Sequence, residues 1–433
     1  MESTQSTTTA KFDADFLSLE HNHASVHAVS LADGFEMVFI EQYPDPVAAA
    51  SVSTVQMFKA QGGTATAGLT ITEMSNAGTV SRLVAHNTSE HDFLLIAGQI
   101  VAGGKQNRGI NADILIGAGK STDIPVTCVQ QGRWSGPPAD RFRSSGFEPV
   151  SIRAAKMRQV QDSRRANRGH DANQHAVWAE ISSISQAIGA RSDSSDLIDA
   201  LSHSSRAQSA GSSSNHDLNV AMQAEARCAE LAHLRGFVAD LRGRARVLQD
   251  APPEISAPVN EALRNAVRRL NALRSEQARA IPHGPENNSG HTINSEKLAQ
   301  ADASARTARG MLVFFHGEFL AGDIFAENAW FGDVYRDLRD SALLSWDVSS
   351  RRRGHEHRPV EPASNTSTES QTRSIVRDAL QGQWRQQASI AQGHTYLLEH
   401  TRFEGCVLTS DAGTPLHLLL GTKSDPESLR QRN

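Results

Sequence analysis

The sequence predicts an α+β protein. It has an N-terminal antiparallel β-rich unit (sandwich or barrel-like) with helices, a C-terminal mixed α/β part and an inserted helical hairpin. Three observations predict this. From Val26 to Trp134, short apolar segments alternate with glycine-containing turns, the mark of an all-β unit. After Phe147 the apolar residues recur at helical spacing. From Val220 to Leu248, and again from Val259 to Leu273, they step at about 3.5 residues on either side of Ala251-Pro252-Pro253, as in a coiled-coil-like hairpin broken by two prolines.

Taken in order, residues 1–20 read as a disordered tail, rich in Ser and Thr. Residues 21–200 hold the β-rich unit and the helices after it. Within it, 35–40, 70–74, 80–86, 92–96, 113–116 and 124–129 read as strands, with turns at Asn76-Ala77-Gly78 and Gly117-Ala118-Gly119. The stretch 151–165 reads as a basic helix, and its Arg153, Lys156, Arg158, Arg164 and Arg165 read as a solvated face or, alternatively, a phosphate contact. In 173–188, Val177, Ile181, Ile184 and Ile188 mark a helical stripe. Residues 201–305 hold a Ser-rich linker and the hairpin at 218–280, which is expected to protrude from the main body. Residues 306–348 continue the main domain. A β-hairpin there turns at His316-Gly317-Glu318, and a helix follows with Trp330, Val334 and Leu338 on one stripe. Residues 349–372 read as a polar linker, and 373–433 as a helix and a closing β-hairpin.

The chain has 433 residues and a formal net charge of −5, which gives no footing for nucleic acid as an obligate partner. Cys128, Cys228 and Cys406 are the three cysteines. They are odd in number and far apart, and so imply neither a disulfide framework nor a CxxC metal pair. Together with an N-terminus that does not read as a signal peptide and the lack of a long apolar run, this points to a cytoplasmic protein with no membrane span. No metal site is expected: His355-Glu356-His357 does not have the H-E-x-x-H spacing. No cofactor is expected.

The most site-like stretch is Gly103-Gly104-Lys105-Gln106-Asn107-Arg108. Paired glycines let the backbone turn tightly and approach a ligand. Four hydrogen-bonding side chains follow, and Arg108 offers a bidentate fork for a phosphate or carboxylate. The bland alternative is a polar turn in solvent. It is no P-loop, because GxxxxGK[ST] is absent. Arg133-Trp134 ends the strand holding Cys128, and either clamps a planar ligand or caps the core edge. Cys128 reads as a buried structural thiol. Gln174 joins the site if its helix end meets the Gln106 loop. Asp323 stands in an apolar hairpin and needs partners. It is either a structural anchor, binding backbone N–H groups or Arg108, or a catalytic carboxylate.

These motifs resemble the domain family associated with ADP-ribosylglycohydrolases and rhodanese-like phosphatases in bacterial conflict systems. Gly-Gly-Lys-Gln-Asn-Arg followed by Cys-Val-x-x-Gly-Arg-Trp carries the resemblance, through 94–108, 114–134, 174–178 and 310–344, about two-thirds of the chain. Where family members often have an acid after Cys-Val, this chain has Gln130. The resemblance implies an α+β domain that handles nucleotides related to NAD or ADP-ribose. By position it nominates Gln106, Asn107, Arg108, Arg133, Gln174 and Asp323.

Two functions are therefore expected to compete. One is binding or sensing of such a nucleotide, with Lys105, Gln106, Asn107, Arg108, Arg133, Trp134 and Gln174 as ligand-binding residues. The other is hydrolysis of it, with Asp323 as the catalytic carboxylate. A third reading is a scaffold that takes a protein partner through the 218–280 helices. The first reading expects Gln106, Asn107, Arg108, Gln174 and Asp323 to border one cleft.

Overall fold

The computed structural model describes residues 25–41, 55–59, 68–75, 78–134, 141–189, 196–202, 259–265, 293–353 and 365–423. Residues 1–205 and 291–433 form one compact unit, and residues 206–290 form a second. In the second unit the described residues, 259–265, are helical. The rest of the expected 218–280 hairpin lies outside the described residues.

The first unit is mixed α+β. Its strands are β1 (Ser25–Ala32), β2 (Phe35–Glu41), β3 (Val55–Met57), β4 (Leu69–Glu73), β5 (Arg82–Asn87), β6 (Asp92–Leu95), β7 (Gln99–Ala102), β8 (Arg108–Ile110), β9 (Ile114–Ile116), β10 (Ser121–Cys128) and β11 (Arg143–Phe147). After helices α1 (Val150–Arg165), α2 (Gln174–Ile188) and α3 (Ser295–Ser304) come β12 (Ala308–Phe315) and β13 (Glu318–Phe325). Helices α4 (Asn328–Arg353) and α5 (Asn365–Gln381) then lead into β14 (Gln383–Gln387), β15 (His394–Glu399), β16 (Phe403–Thr409) and β17 (Pro415–Thr422).

The N-terminal β-rich part is built from two small sheets, β11-β7-β8-β10-β5-β4 and β3-β6-β9. Leu69, Ile71, Leu83, Phe93, Leu95, Ile114 and Ile124 from both sheets meet in one core. The pairing is antiparallel except for β3 with β6. Of these, β4, β5, β6, β9 and β10 are the short strands that the turn spacing predicts, while β3, β7, β8 and β11 are not read from the sequence.

The third sheet has eight strands in the order β1-β2-β12-β13-β17-β16-β15-β14. Here the structure differs from the sequence reading, because the 35–40 strand is not part of the N-terminal β unit. It is β2, and it pairs with β12 in the register Val38↔Leu312. Its apolar run is explained by burial on both faces. Phe35, Met37 and Phe39 point to one core with α4, and Val38 and Ile40 point to another with α5. The β12–β13 hairpin turns at His316 (φ 51°) and Gly317 (φ 77°), the two-residue turn with both central residues at positive φ that suits the strand twist.

Helix α4 presents Trp330, Phe331, Val334, Tyr335, Leu338 and Ala342 to the sheet. It runs to Arg353, and α5 begins at Asn365, so helix occupies both ends of the stretch that reads as a polar linker. The closing segment is four antiparallel strands, β14 to β17, where the sequence suggests a single hairpin. Helix α1 also differs from expectation. Arg153 and Lys156 are 4% and 3% exposed, so its basic residues do not form one solvated face. No helix among the described residues is long and apolar enough to cross a membrane.

Candidate functional site

The loop 103–107 joins β7 to β8. Its turn depends on Gly103 (φ 141°) and Gly104 (φ 48°). A Cβ on Gly104 would strike the Phe142 ring and Glu73, so the loop lies tight against its neighbours. The Lys105 N–H donates to Glu73 Oε1 at 3.0 Å.

Below the turn the predicted side chains meet one another. Gln106 Nε2 donates to the Gln130 carbonyl at 3.1 Å, and Gln106 Oε1 accepts from Arg108 Nη1 at 3.0 Å. Asn107 Nδ2 donates to both Asp196 oxygens, at 3.3 and 3.0 Å. Gln130 Nε2 donates to Asp196 Oδ2 at 2.9 Å, and Gln130 Oε1 accepts from Arg133 Nε at 2.6 Å. The two terminal nitrogens of Arg133 reach the carbonyls of Gly104 and Gly103, each at 3.3 Å. Arg133 therefore clamps the glycine turn. Gln174 donates to the Cys128 carbonyl at 2.7 Å and accepts from the Cys128 N–H at 2.8 Å. Its amide acts as one more strand partner at the end of β10.

Gln106 and Asn107 are buried, and the hydrogen bonds of their amides lie within the network. Arg108 is different. It is fully buried, yet among the described residues its Nε and Nη2 have no hydrogen-bond partner by geometry, although the Cys128 thiol lies beside the guanidinium. Burial pushes the guanidinium below its usual pKa range, against the pull of Cys128 and Glu73. Glu73 is close enough to act on Arg108, but its Oε2 is also unpartnered. Trp134 lies above. The residue is 46% exposed, and its ring centroid is 5.7 Å from Arg108 Cζ and 5.3 Å from Lys105 Nζ. Such cation–π contacts offset only part of the cost of a buried charge.

Three neighbours were not nominated by the sequence. Burial raises the pKa of Asp196, although the Ile198 N–H and Asn107 pull it back. Glu73 and Gln130 complete the set. Gln130 falls at a variable position of the Cys-Val-x-x-Gly-Arg-Trp motif, no motif marks Glu73 or Asp196, and Asp196 is 89 positions from Asn107. Cys128 is buried, its thiol donates to the Gln130 carbonyl at 3.1 Å, and burial raises its pKa. These are the properties of an inert thiol.

Asp323 does not join this network. Its carboxylate is forked by Arg153, with Nη1 to Oδ2 at 2.9 Å and Nη2 to Oδ1 at 2.6 Å. The expected bond to Arg108 is thus replaced by one to Arg153. His417 Nε2 is 3.3 Å from Asp323 Oδ1, and His417 Nδ1 is 2.7 Å from Asp113 Oδ2. Burial opposes a charged His417 ring, but Asp113 and Asp323 outweigh it and hold its pKa up to about 9. Burial alone would raise Asp323, but Arg153 and His417 hold it well below the usual carboxylate range. Alongside, Lys156 Nζ donates to Glu148 Oε1 at 2.7 Å and lies 3.3 Å from the Gly109 and Ile110 carbonyls. The adjoining cavity, lined by Asp113, Arg153, Lys156 and Cys406 among others, measures about 30 Å³. That is room for about one water molecule, far below the few hundred Å³ of a nucleotide site.

Among the described residues no group of His, Cys, Asp and Glu is arranged to hold a metal ion. No curated protein and no solved structure matches the chain. A family model does match, over just under half of the 433 residues. Its span takes in 94–108, 114–134 and 174–178 but stops short of 310–344, so it is shorter than the resemblance suggests and leaves out Asp323. Residues 45–248, which carry the Arg108 network, match the ARG and Rhodanese-Phosphatase-superfamily-associated Protein domain, ARPP-1.

Proposed function

We propose that this protein binds a small anionic ligand with a planar ring, of the class of nucleotides related to ADP-ribose or NAD, at Arg108 beneath Trp134. The observation that carries this reading is the Arg108 guanidinium, buried with Nε and Nη2 unpartnered among the described residues. A buried cation in that state costs several kcal/mol relative to a paired one. An oxyanion accepting from both nitrogens removes that cost and forms a charge-assisted fork. The exposed Trp134 ring supplies a face for a planar group, and Lys105 beside it supplies a second positive charge. The ring-bearing anion is what these three side chains have in common as a target.

Binding without turnover is the primary reading. Hydrolysis of the same ligand is the second, and Glu73 favours it through one buried, unpartnered carboxylate oxygen within reach of the Arg108 charge. Tryptophan fluorescence tests the site. Titration with ADP-ribose, NAD or AMP is expected to change the emission of the wild type saturably, and the change is expected to be lost in Trp134→Phe. An unchanged response in that variant places the ligand elsewhere. Product release from ADP-ribose or NAD separates the hydrolase reading from the binding one.

A further inference from the structure

A second feature of the fold lies outside the Arg108 network and shares no lining residue with it. Strands β5 and β10 pair in the register His86↔Ser121, Val84↔Asp123 and Arg82↔Pro125. Side chains directly opposite one another lie on the same face, so Arg82 and Asp123 stand on one face of the pair, while Leu83, Ala85 and Ile124 fill the core on the other. Over the first face opens a basin of about 430 Å³, walled by His170 and Ile390. Its volume falls in the range of small-molecule sites.

The chemistry of the basin is polar and one-sided. The Arg82 side chain is exposed and makes no hydrogen bond or ion pair to another described residue. His170 is fixed by its carbonyl, which accepts from Asn111 Nδ2 at 3.0 Å. Its ring Nε2 is buried without a hydrogen-bond partner among the described residues. Asp123 adds an acceptor on the same face as Arg82. Ser121 Oγ is already 2.8 Å from His86 Nδ1. Among the described residues no Phe, Tyr or Trp lines the basin, and none of them offers a face for a stacked ring.

We propose that this basin is a second binding site, for a small hydroxylated molecule bearing a phosphate. The phosphate faces the Arg82 guanidinium, whose planar fork matches it, and accepts a hydrogen bond from His170. The hydroxyl groups face the Asp123 carboxylate. The charged groups around the imidazole are Arg164 from α1, Arg82 from β5 and Asp123 from β10. Burial, then Arg164 and Arg82, hold the ring neutral, with its pKa down at about 4. A phosphate against Arg82 offsets that repulsion, so binding raises the His170 pKa.

The test is NMR of the His170 ring in the full chain, titrated with glycerol 3-phosphate, with inorganic phosphate and with glycerol. Glycerol 3-phosphate is expected to shift the ring signals saturably and raise the His170 pKa. Inorganic phosphate is expected to bind more weakly, and glycerol to have no effect. Arg82→Gln, at an exposed position, is expected to weaken glycerol 3-phosphate about tenfold or more. The proposal is overturned if glycerol 3-phosphate gives no saturable shift, if the shift survives unchanged in Arg82→Gln, or if glycerol alone reproduces it. Inorganic phosphate binding as tightly as glycerol 3-phosphate overturns the assignment of the hydroxyl groups. Each of these results leaves the Arg108 reading untouched.

Discussion

Arg108 Cζ lies 5.7 Å from the centre of the Trp134 ring, a wholly buried cation under an exposed indole. Its Nη1 is engaged by Gln106 Oε1 and its Nε and Nη2 are not. This asymmetry distinguishes Arg108 from Arg133, whose Nε, Nη1 and Nη2 all donate within the network.

Arg108→Met tests whether the guanidinium serves folding or a ligand. Removing it takes away an incompletely paired buried charge, which is stabilising. It also leaves Gln106 Oε1 unsatisfied, at about 1–3 kcal/mol. The two effects nearly cancel, so the ligand-free melting temperature is expected to stay close to the wild-type value or rise. A loss of more than about 3 kcal/mol in thermal or urea unfolding would make Arg108 a structural residue.

Asp323→Asn is expected to behave in the opposite way. The substitution strips Arg153 of its carboxylate fork and His417 of one of its two carboxylates. Breaking a buried pair from one side costs about 3–5 kcal/mol. The melting temperature should fall sharply, while ligand affinity at Arg108, measured below the new transition, should not change. Loss of binding with an intact transition would return Asp323 to the ligand site.

The same pairings set a pH window. The pKa of His417 is raised from 6.5 to about 9 in the folded state, so its contribution to stability is complete below about 6.5 and is lost as pH rises through about 9. Asp323 is shifted downwards, so its contribution is present above about 4 and is lost as pH falls. Unfolding free energy should therefore decline between about pH 7 and about pH 10, and His417→Gln should flatten that decline. Equal slopes in the two proteins would show that His417 is not the titrating group.

The local features of the fold are legible in the sequence and the long-range ones are not. Gly103-Gly104 and His316-Gly317 announce their turns because few other residues accept those backbone angles. Trp330, Val334 and Leu338 announce the buried stripe of α4 through period alone. By contrast, the pairing of Phe35–Glu41 with Ala308–Phe315 depends on register across most of the chain. A doubly buried strand reads the same in any sheet. Arg153 and Lys156 read as solvated because helix-borne charges usually are. Their burial depends on Asp323 and Glu148, and nothing local marks Asp323 as a partner. In the site, Gln106, Asn107, Arg108 and Arg133 stand out by residue type and spacing. Asp196, one of three acids spaced three apart at 193–199, and Glu73 carry no local mark of the site, and only the fold brings them alongside.

The most direct measurement is isothermal calorimetry of ADP-ribose, NAD and AMP against the wild type and Arg108→Ala. A charge-assisted fork to an oxyanion contributes about 1.5–3 kcal/mol. Saturable binding to the wild type should therefore weaken about ten- to a hundredfold in Arg108→Ala, with Arg108→Lys recovering part of the loss. No binding heat from any of the three ligands, or equal affinity in the wild type and Arg108→Ala, would contradict the assignment of Arg108 as the anion site.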